Sequence, residues 1–321
     1  MTTLNAAKKS KHRVNGRSSS SYSRGDKIFY VCLLVLPIIQ TLVFYFYVNF
    51  NTFGMAFQSY DSSTNKFVWG ISSNIETLKL YKDYIGTWAL NSLLVWIVTS
   101  LIGTTLAVIF SFYIFKKRKL SSVFKFILFL PSILPAILLG IMFKNFMSSA
   151  LPSYTHGALV DPFDTIALTK TFGSARATSI RFWLLTGYSI WVSFGSQVLI
   201  YTGSMDQIPT EVIEASRLDG ASFTRELRSI VFPSILPSVG TFIISGIAGL
   251  FTNQNNLFNI LGMNSNILEG EKTIGYFLYT YLLQHPGMTG YTFASFIGLI
   301  CTCIVVPLSL GVRKIVERVT R

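Results

Sequence analysis

The polar side chains that could take part in chemistry fall into two groups. The first is the charged stretch 208–233, which lies between two apolar segments and contains Glu214 and Asp219. The second consists of Gln197 and the amide-rich run 252–256. Carboxylates on a short surface helix suit a charged contact with a partner, whereas uncharged amides both donate and accept hydrogen bonds and suit a hydroxyl-rich ligand. Both groups therefore indicate recognition rather than a covalent reaction.

The sequence lacks catalytic and metal-binding patterns. His12, His156 and His285 are far apart, and no cluster of Cys and carboxylate residues accompanies them. The phosphate loop Gly-x-x-x-x-Gly-Lys-Ser/Thr does not occur either. We therefore expect no catalytic residue and no metal site, and we expect that the chain is not an enzyme by itself.

The composition indicates that these groups belong to a membrane protein. Half of the 321 residues are hydrophobic and only 13% are charged, which is more apolar surface than a soluble core of this length can bury. The net charge is +13. Because the basic residues are confined to particular loops, that charge indicates membrane orientation rather than binding of nucleic acid.

Six apolar segments are long enough to be membrane-spanning helices. They cover approximately residues 28–50, 88–115, 123–146, 182–203, 234–251 and 293–312. Pro131 and Pro135 should bend the third segment. An aromatic segment at 273–283 is too short to cross a bilayer and is expected to be interfacial or re-entrant. The predicted fold class is therefore an all-α polytopic membrane protein with six transmembrane helices.

The segments outside the spans differ in charge. Residues 1–27 are basic and rich in Ser, and we predict a disordered cytoplasmic tail. Residues 51–87 and 147–181 are predicted outer loops. Most of the 27 Lys and Arg residues lie in the tail, after the second span, in 208–233 and at the C-terminus. The positive-inside rule then puts 208–233 and both termini in the cytoplasm.

The charged stretch is predicted to fold as two short helices joined by a tight turn. Pro209 suits a helix start, Thr210 can cap that helix, and Gly220 supplies a left-handed stop. Ser222 can cap the second helix, and Pro233 is expected to end it. Apolar anchors among the charges are typical of a surface that inserts into a partner's groove. These anchors are Ile213, Leu218 and Phe223.

The spacing within this stretch resembles a known motif. The EAA loop of permease subunits of binding-protein-dependent ABC importers has Glu-Ala-Ala, three residues, Gly, nine residues, Ile, one residue and Leu-Pro. This chain carries Glu214-Ala215-Ser216, Gly220, Ile230 and Phe232-Pro233 at those spacings. It departs at Ser216 and Phe232, which are of compatible size or character. With Leu-Asp-Gly-Ala at 218–221, the stretch most resembles the carbohydrate-uptake, maltose-type branch.

This resemblance implies a type I importer permease core at 88–315, preceded by an extra helix at 28–50. It also implies that residues 210–222 form a coupling helix, which rests in a cleft of a cytoplasmic ABC ATPase dimer. The ATPase would bind ATP and Mg²⁺, so this chain needs no cofactor. The residues implied in that contact are Glu214, Ala215, Ser216, Leu218, Asp219 and Gly220.

Further partners follow from the same resemblance. We expect a second, homologous permease in a heterodimer, an extracytoplasmic solute-binding protein and a location in the bacterial cell membrane. The expected cargo is a sugar or oligosaccharide. Candidate residues of its path are Gln197, Asn253, Gln254 and Asn255. Hydrogen bonding between helices is the alternative role for Gln197, and a plain polar loop is the alternative for the three amides.

Two other functions stay open on the sequence. One is an ABC importer permease for a solute other than a sugar. The other is a secondary transporter, for which we would expect an inverted internal repeat and carboxylates inside the membrane. No repeat is visible, and the six predicted spans contain no Asp or Glu.

Overall fold

The structure is a computed structural model that describes residues 24–61, 64–155, 159–263 and 267–319. It divides into two compact units, Met1–Thr52 and Phe53–Arg321. The predicted basic tail lies almost wholly outside the described residues. In the first unit the described residues are helical from Arg24, so the helix begins earlier than residue 28. Its apolar side chains are exposed, as suits contact with lipid.

The described residues form twelve helices and one β-hairpin. In chain order the elements are α1 (24–56), β1 (Gln58–Asp61), β2 (Lys66–Trp69), α2 (Ser72–Leu80), α3 (Lys82–Phe115), α4 (Ser121–Ile133), α5 (Ala136–Tyr154), α6 (Thr165–Phe172), α7 (Ser174–Met205), α8 (Thr210–Leu218), α9 (Phe223–Ala248), α10 (Leu257–Leu261), a 3₁₀ turn (Glu269–Glu271), α11 (Ile274–Gln284) and α12 (Met288–Val319). The two strands pair antiparallel, with Gln58 opposite Trp69.

Four of these helices contain a π-helical turn, in which the backbone hydrogen bonds skip one extra residue. The turns are Thr41–Tyr47 in α1, Thr99–Gly103 in α3, Phe146–Ala150 in α5 and Leu227–Val231 in α9. Two of them, in α3 and α9, lie next to the candidate site described below.

All six predicted spans lie on helices, and the predicted fold class is confirmed. Among the described residues, α1, α3, α5, α9 and α12 are long and apolar enough to cross a membrane. The third predicted span is two helices rather than one. The chain is extended at Leu134, with ψ 145°, because the residue before Pro135 is disfavoured in a helix. Pro131, in contrast, lies inside α4 without interrupting it.

The fourth predicted span lies inside α7, a helix of 32 residues that is less apolar than the other five. Most of its Ser and Thr hydroxyls donate to backbone carbonyls one turn earlier in α7 itself, and the helix packs against α3, α4 and α9. Gly195 makes the crossing with α4 possible, since a Cβ at this position would overlap the carbonyl of Leu128. The central position of α7 explains its polarity.

Both predicted outer loops contain regular structure. The hairpin, α2 and the start of α3 occupy much of 51–87, and α6 lies within 147–181. Asp164 begins α6 by accepting hydrogen bonds from the N–H groups of Ile166 and Ala167, both at 3.0 Å. The short aromatic segment is α11, which packs on α3 and α12.

Candidate functional site

The helix α8 has well-defined ends. It begins at Thr210 directly after Pro209, so Thr210 is the first helical residue rather than the predicted cap. No side chain caps this end, because Pro209 already fixes the backbone at a helix start. At the other end Gly220 has φ 73° and donates to the carbonyl of Arg217 (3.0 Å), while Ala221 donates one residue further back (2.9 Å). This is a Schellman turn, and it provides the predicted left-handed stop.

One face of α8 rests on the protein and the other is open. Ile213 is 6% exposed and packs in a core cluster with residues of α3, α7 and α9. Ser216 is buried on the same face, where its Oγ donates to the Ile213 carbonyl (2.8 Å). The other five predicted contact residues are exposed, and Leu218 is 90% exposed. A partner could therefore reach every predicted contact except the Ser216 side chain.

The second helix of the charged stretch does not stop where predicted. Ser222 caps α9 as expected and accepts from the N–H of Arg225 at 3.4 Å. The prediction that Pro233 ends this helix is wrong, because α9 continues to Ala248. A π-helical turn precedes Pro233, and such a widened turn can accommodate a proline ring and its missing N–H. The exposed start of α9 and its membrane-spanning part are consequently one continuous helix.

A buried ion pair fixes the start of α9 to the end of α3. Lys116 contacts the carboxylate of Glu226, and their side chains are only 9% and 3% exposed. Lys116 Nζ also lies 5.6 Å from the ring centre of Phe112. This pair was not predicted, and Glu226 lies outside the predicted span 234–251. The available signal was that Glu226 lies among the apolar positions of a helical pattern that includes Phe223 and Ile230.

A polar cavity of about 390 Å³ lies beside the π-helical turn of α3. Side chains of α3 between Trp96 and Thr104, Gln197 of α7 and Asn253 of the loop after α9 line it. Ser100 is near the middle of α3, which has 34 residues, so the cavity lies near the depth of the bilayer centre. Uncharged polar groups at that depth face protein or a water-filled path rather than lipid.

Two buried polar atoms at this cavity have no hydrogen-bond partner within the described residues. They are Gln197 Oε1 and Trp96 Nε1. Gly246 borders the same space, and a Cβ there would lie 2.9 Å from Trp96 Nε1. One unpaired acceptor and one unpaired donor at the same cavity suit a ligand hydroxyl, which can both donate and accept.

The amide residues predicted to contact the cargo divide into two that line cavities and one that holds the loop to α7. Asn253 lies at the polar cavity, and Gln254 lines a neighbouring cavity of about 340 Å³. Asn255 is 0% exposed, accepts from Ser189 Oγ (3.0 Å) and donates to Thr186 Oγ1 (3.1 Å). The structure therefore corrects the prediction for Asn255, which joins this loop to α7 and is out of reach of a ligand.

The Lys82 end of α3 holds the segment before α11. Asn91 Nδ2 donates to the carbonyls of Gly270 (2.8 Å) and Lys272 (2.9 Å). Ser92 Oγ accepts from the N–H of Ile274 at 3.0 Å. These bonds satisfy partly buried backbone carbonyls of the turn and an N–H group at the start of α11.

An ion pair secures the same segment from the side of α7. Arg181 and Glu271 are in contact and are 1% and 0% exposed. Burial raises the pKa of the Glu271 carboxyl above its ordinary value, while hydrogen bonds from Arg181 and from the N–H of Leu268 oppose that rise. The sequence analysis placed Arg181 in an outer loop and did not foresee a buried partner.

Known proteins with similar sequences are transport permeases. Residues 101–321 match the family described as binding-protein-dependent transport system inner membrane component. The chain is 24% identical over 273 residues to the multiple sugar-binding transport system permease protein MsmF of Streptococcus mutans, covering 85% of this chain and 89% of that protein. It is 25% identical over 273 residues to the arabinooligosaccharides transport system permease protein AraP of Bacillus subtilis, covering 85% and 83%.

A third relative matches over a shorter region. This is the probable starch degradation products transport system permease protein AmyD of Thermoanaerobacterium thermosulfurigenes, which is 28% identical over 178 residues. The alignment covers 54% of this chain and 53% of that protein, so the matched region is about half the length of each.

A solved structure resembles the fold. It is the crystal structure of a bacterial ABC transporter involved in the import of the acidic polysaccharide alginate. The TM-score is 0.71 at 16% sequence identity, and the match covers 92% of this chain and 97% of that chain. At this identity the likeness concerns the fold alone, which is that of an ABC importer permease.

Proposed function

Because this chain belongs to the family of binding-protein-dependent transport system inner membrane components, we propose that it is the permease subunit of an ATP-driven importer of a sugar or oligosaccharide. The observation that carries this proposal is the polar cavity near the middle of α3. Its lining offers uncharged donors and acceptors, including the unpaired atoms of Gln197 and Trp96. Such a lining suits the neutral hydroxyl groups of a sugar.

The names of the relatives support this cargo. They refer to multiple sugars, arabinooligosaccharides and starch degradation products. An importer for a charged solute would be expected to offer a compensating charge at its cavity, because a charge is costly to move to the bilayer centre. Among the described residues that line the polar cavity, there is no Asp, Glu, Lys or Arg.

The exposed face of α8 is the proposed contact for the ATPase dimer. Glu214 would make the charged contact, Ala215 would allow close approach, and Leu218 would fill an apolar pocket of the ATPase. Movement of α8 would reach the membrane through the continuous helix α9. The Lys116–Glu226 ion pair would make the end of α3 follow the same movement.

A second, homologous permease is the proposed partner inside the membrane. An apolar groove of about 640 Å³ lies between α3 and α9. The groove shares Trp96, Ser100 and Thr104 with the polar cavity. A second permease lying along this groove would complete the wall of the sugar path. A solute-binding protein is the proposed supplier of the cargo, which the description of the family as binding-protein-dependent supports. We assign its docking to the side opposite α8. The four consecutive basic residues at 116–119 support a cytoplasmic position for the α8 side by the positive-inside rule.

Uptake into sealed vesicles tests this function. The vesicles contain this chain, a second permease and an ATPase encoded beside it, and the solute-binding protein is added outside with a radiolabelled maltodextrin, galactooligosaccharide or arabinooligosaccharide. We expect accumulation of at least one sugar that requires both ATP and the binding protein. Accumulation of an amino acid or an inorganic ion instead would favour the non-sugar importer. Transport without the ATPase would favour a secondary transporter.

A further inference from the structure

A second ligand-sized cavity, of about 290 Å³, lies at the Lys82 end of α3. It is formed where the segment 81–88 faces α11 and the turn before it. Six aromatic side chains line it: Tyr81, Tyr84, Trp88, Tyr276, Phe277 and Tyr281. In the orientation proposed above, this cavity is at the outer side, and the polar cavity is deeper in the membrane.

The aromatic rings form a layered wall. Trp88 is stacked on Phe277 with ring centres 4.4 Å apart, and Tyr84 is stacked on Trp88 at 5.9 Å with planes only 15° apart. Trp88 is 2% exposed, whereas Tyr84 is 45% exposed. A planar ring with a negatively polarised face suits the C–H groups on the flat side of a sugar ring. The fixed Trp88 therefore supports Tyr84 as a stacking platform at the entrance.

A carboxylate at the same cavity is only half satisfied. Glu269 Oε1 accepts from Lys272 Nζ at 2.5 Å, while Glu269 Oε2 is buried and has no partner within the described residues. A buried acceptor of this kind calls for a donor, and a ligand hydroxyl can supply one. Because Lys272 neutralises Glu269, the pair adds no net charge, and the cavity suits a neutral ligand rather than an ion.

The size and place of this cavity distinguish it from the polar cavity. It is at the small end of the range for ligand pockets, roughly 300–1,000 Å³, so it suits one sugar ring rather than a chain. Trp88 and Trp96 line the two cavities and are separated by about 12 Å along α3 at 1.5 Å per residue. The two cavities are thus successive positions along one helix.

We propose that this cavity is an outer subsite for one neutral sugar ring, where Tyr84 stacks on the ring and Glu269 accepts a hydrogen bond from a sugar hydroxyl. The inference rests on the proposed function, since it takes the cargo to be a carbohydrate. It adds a binding step between release from the solute-binding protein and arrival at the polar cavity.

Thiol protection in the full chain tests this subsite. The three native cysteines, Cys32, Cys301 and Cys303, are replaced by Ala, and Gln284→Cys places a reporter thiol at the cavity. A second background carries Asn253→Cys at the polar cavity instead. The rate of alkylation by a maleimide is measured for each, with and without a maltodextrin, a galactooligosaccharide or an arabinooligosaccharide.

We expect at least one of these sugars to slow alkylation at both positions. At position 284, Tyr84→Ala or Glu269→Gln should raise the sugar concentration needed for half protection about tenfold, while protection at position 253 should persist. Tyr291→Ala is the matched control, because Tyr291 is similarly exposed (48%) but does not line the cavity. Lys272→Gln breaks the same ion pair as Glu269→Gln but keeps the carboxylate, so its effect should be smaller.

The inference would be overturned if a sugar protected position 253 but not 284, or if protection at 284 were unchanged in both cavity variants. Protection at neither position by a sugar that the assembled vesicles do accumulate would overturn it as well. If the vesicles accumulate no sugar, the proposed function fails, and the outer subsite fails with it. The uptake assay therefore separates the two failures.

Discussion

Replacing Gly220 by Val should uncouple ATP hydrolysis from transport. Gly220 has φ 73°, a left-handed conformation that glycine adopts freely and that β-branched residues resist. Within the part of the chain that the structure describes, no atom lies within 4 Å of a Cβ at this position. The substitution therefore acts on the backbone conformation alone and not through a steric clash with the rest of the protein.

The size of the effect follows from the cost of that conformation. A non-glycine residue pays about 1–2 kcal/mol in the left-handed region. About 1.4 kcal/mol is a factor of ten in an equilibrium constant. The ratio of molecules with α8 in its native direction to molecules with α8 in another direction should therefore fall roughly five- to thirtyfold. Gly220→Asn is the matched control, because Asn tolerates this region and should cost only a few tenths of a kcal/mol.

The assay is ATP-driven sugar uptake by the vesicles described above, with ATP hydrolysis and retention of the ATPase measured on the same samples. Gly220→Val should lower uptake about five- to thirtyfold, and Gly220→Asn should lower it less than twofold. In thermal unfolding, Gly220→Val should lose no more than the same strain of about 1–2 kcal/mol, and Gly220→Asn should stay close to the parent. Wild-type uptake by Gly220→Val would refute the role of this turn, and so would an equal loss in Gly220→Asn.

Three further substitutions probe the rest of the site. Gln197→Leu should lower sugar uptake about tenfold yet raise the stability by roughly 1 kcal/mol, because it removes a buried acceptor without a partner; unchanged uptake would contradict the polar cavity. Glu226→Gln should destabilise by about 3–5 kcal/mol, since it leaves Lys116 buried without its counter-charge. The joint change Glu226→Leu with Lys116→Met should recover most of that loss in thermal unfolding, and no recovery would argue against the pair. Gly195→Ala should lower the free energy of unfolding by about 1–3 kcal/mol, because its Cβ would overlap the backbone of α4. Gly187→Ala in the same helix has open space and should leave the stability unchanged. Equal melting temperatures of the two variants would disprove the close crossing.

The parts of the site that the sequence predicted depend on neighbouring residues along the chain. The stop at Gly220 and the cap at Ser222 follow from the conformational freedom of glycine and the acceptor of serine. The prediction that both Ile213 and Leu218 anchor a partner is wrong for Ile213, which packs in the core cluster, whereas Leu218 is exposed. Membrane helices are similarly predictable because the bilayer demands long apolar runs.

The parts that the sequence did not predict depend on distant residues or on small changes of helix type. Glu226 and Lys116 are 110 positions apart, and no pattern along the chain connects them. Asn255 is buried because it forms hydrogen bonds with the hydroxyl groups of Ser189 and Thr186 in α7. Pro233 is an ordinary helix terminator by sequence, whereas α9 continues past it after a π-helical turn.

The π-helical turn Thr99–Gly103 interrupts the regular α-helical hydrogen bonding of α3. The hydrogen bonds of Asn91 clamp α3 on one side of this turn, and the ion pair of Lys116 clamps it on the other. A change of register between these two contacts can be taken up where the hydrogen bonding already departs from the α-helical pattern. That place borders the polar cavity, so α3 can reshape the cargo's surroundings while both clamps hold.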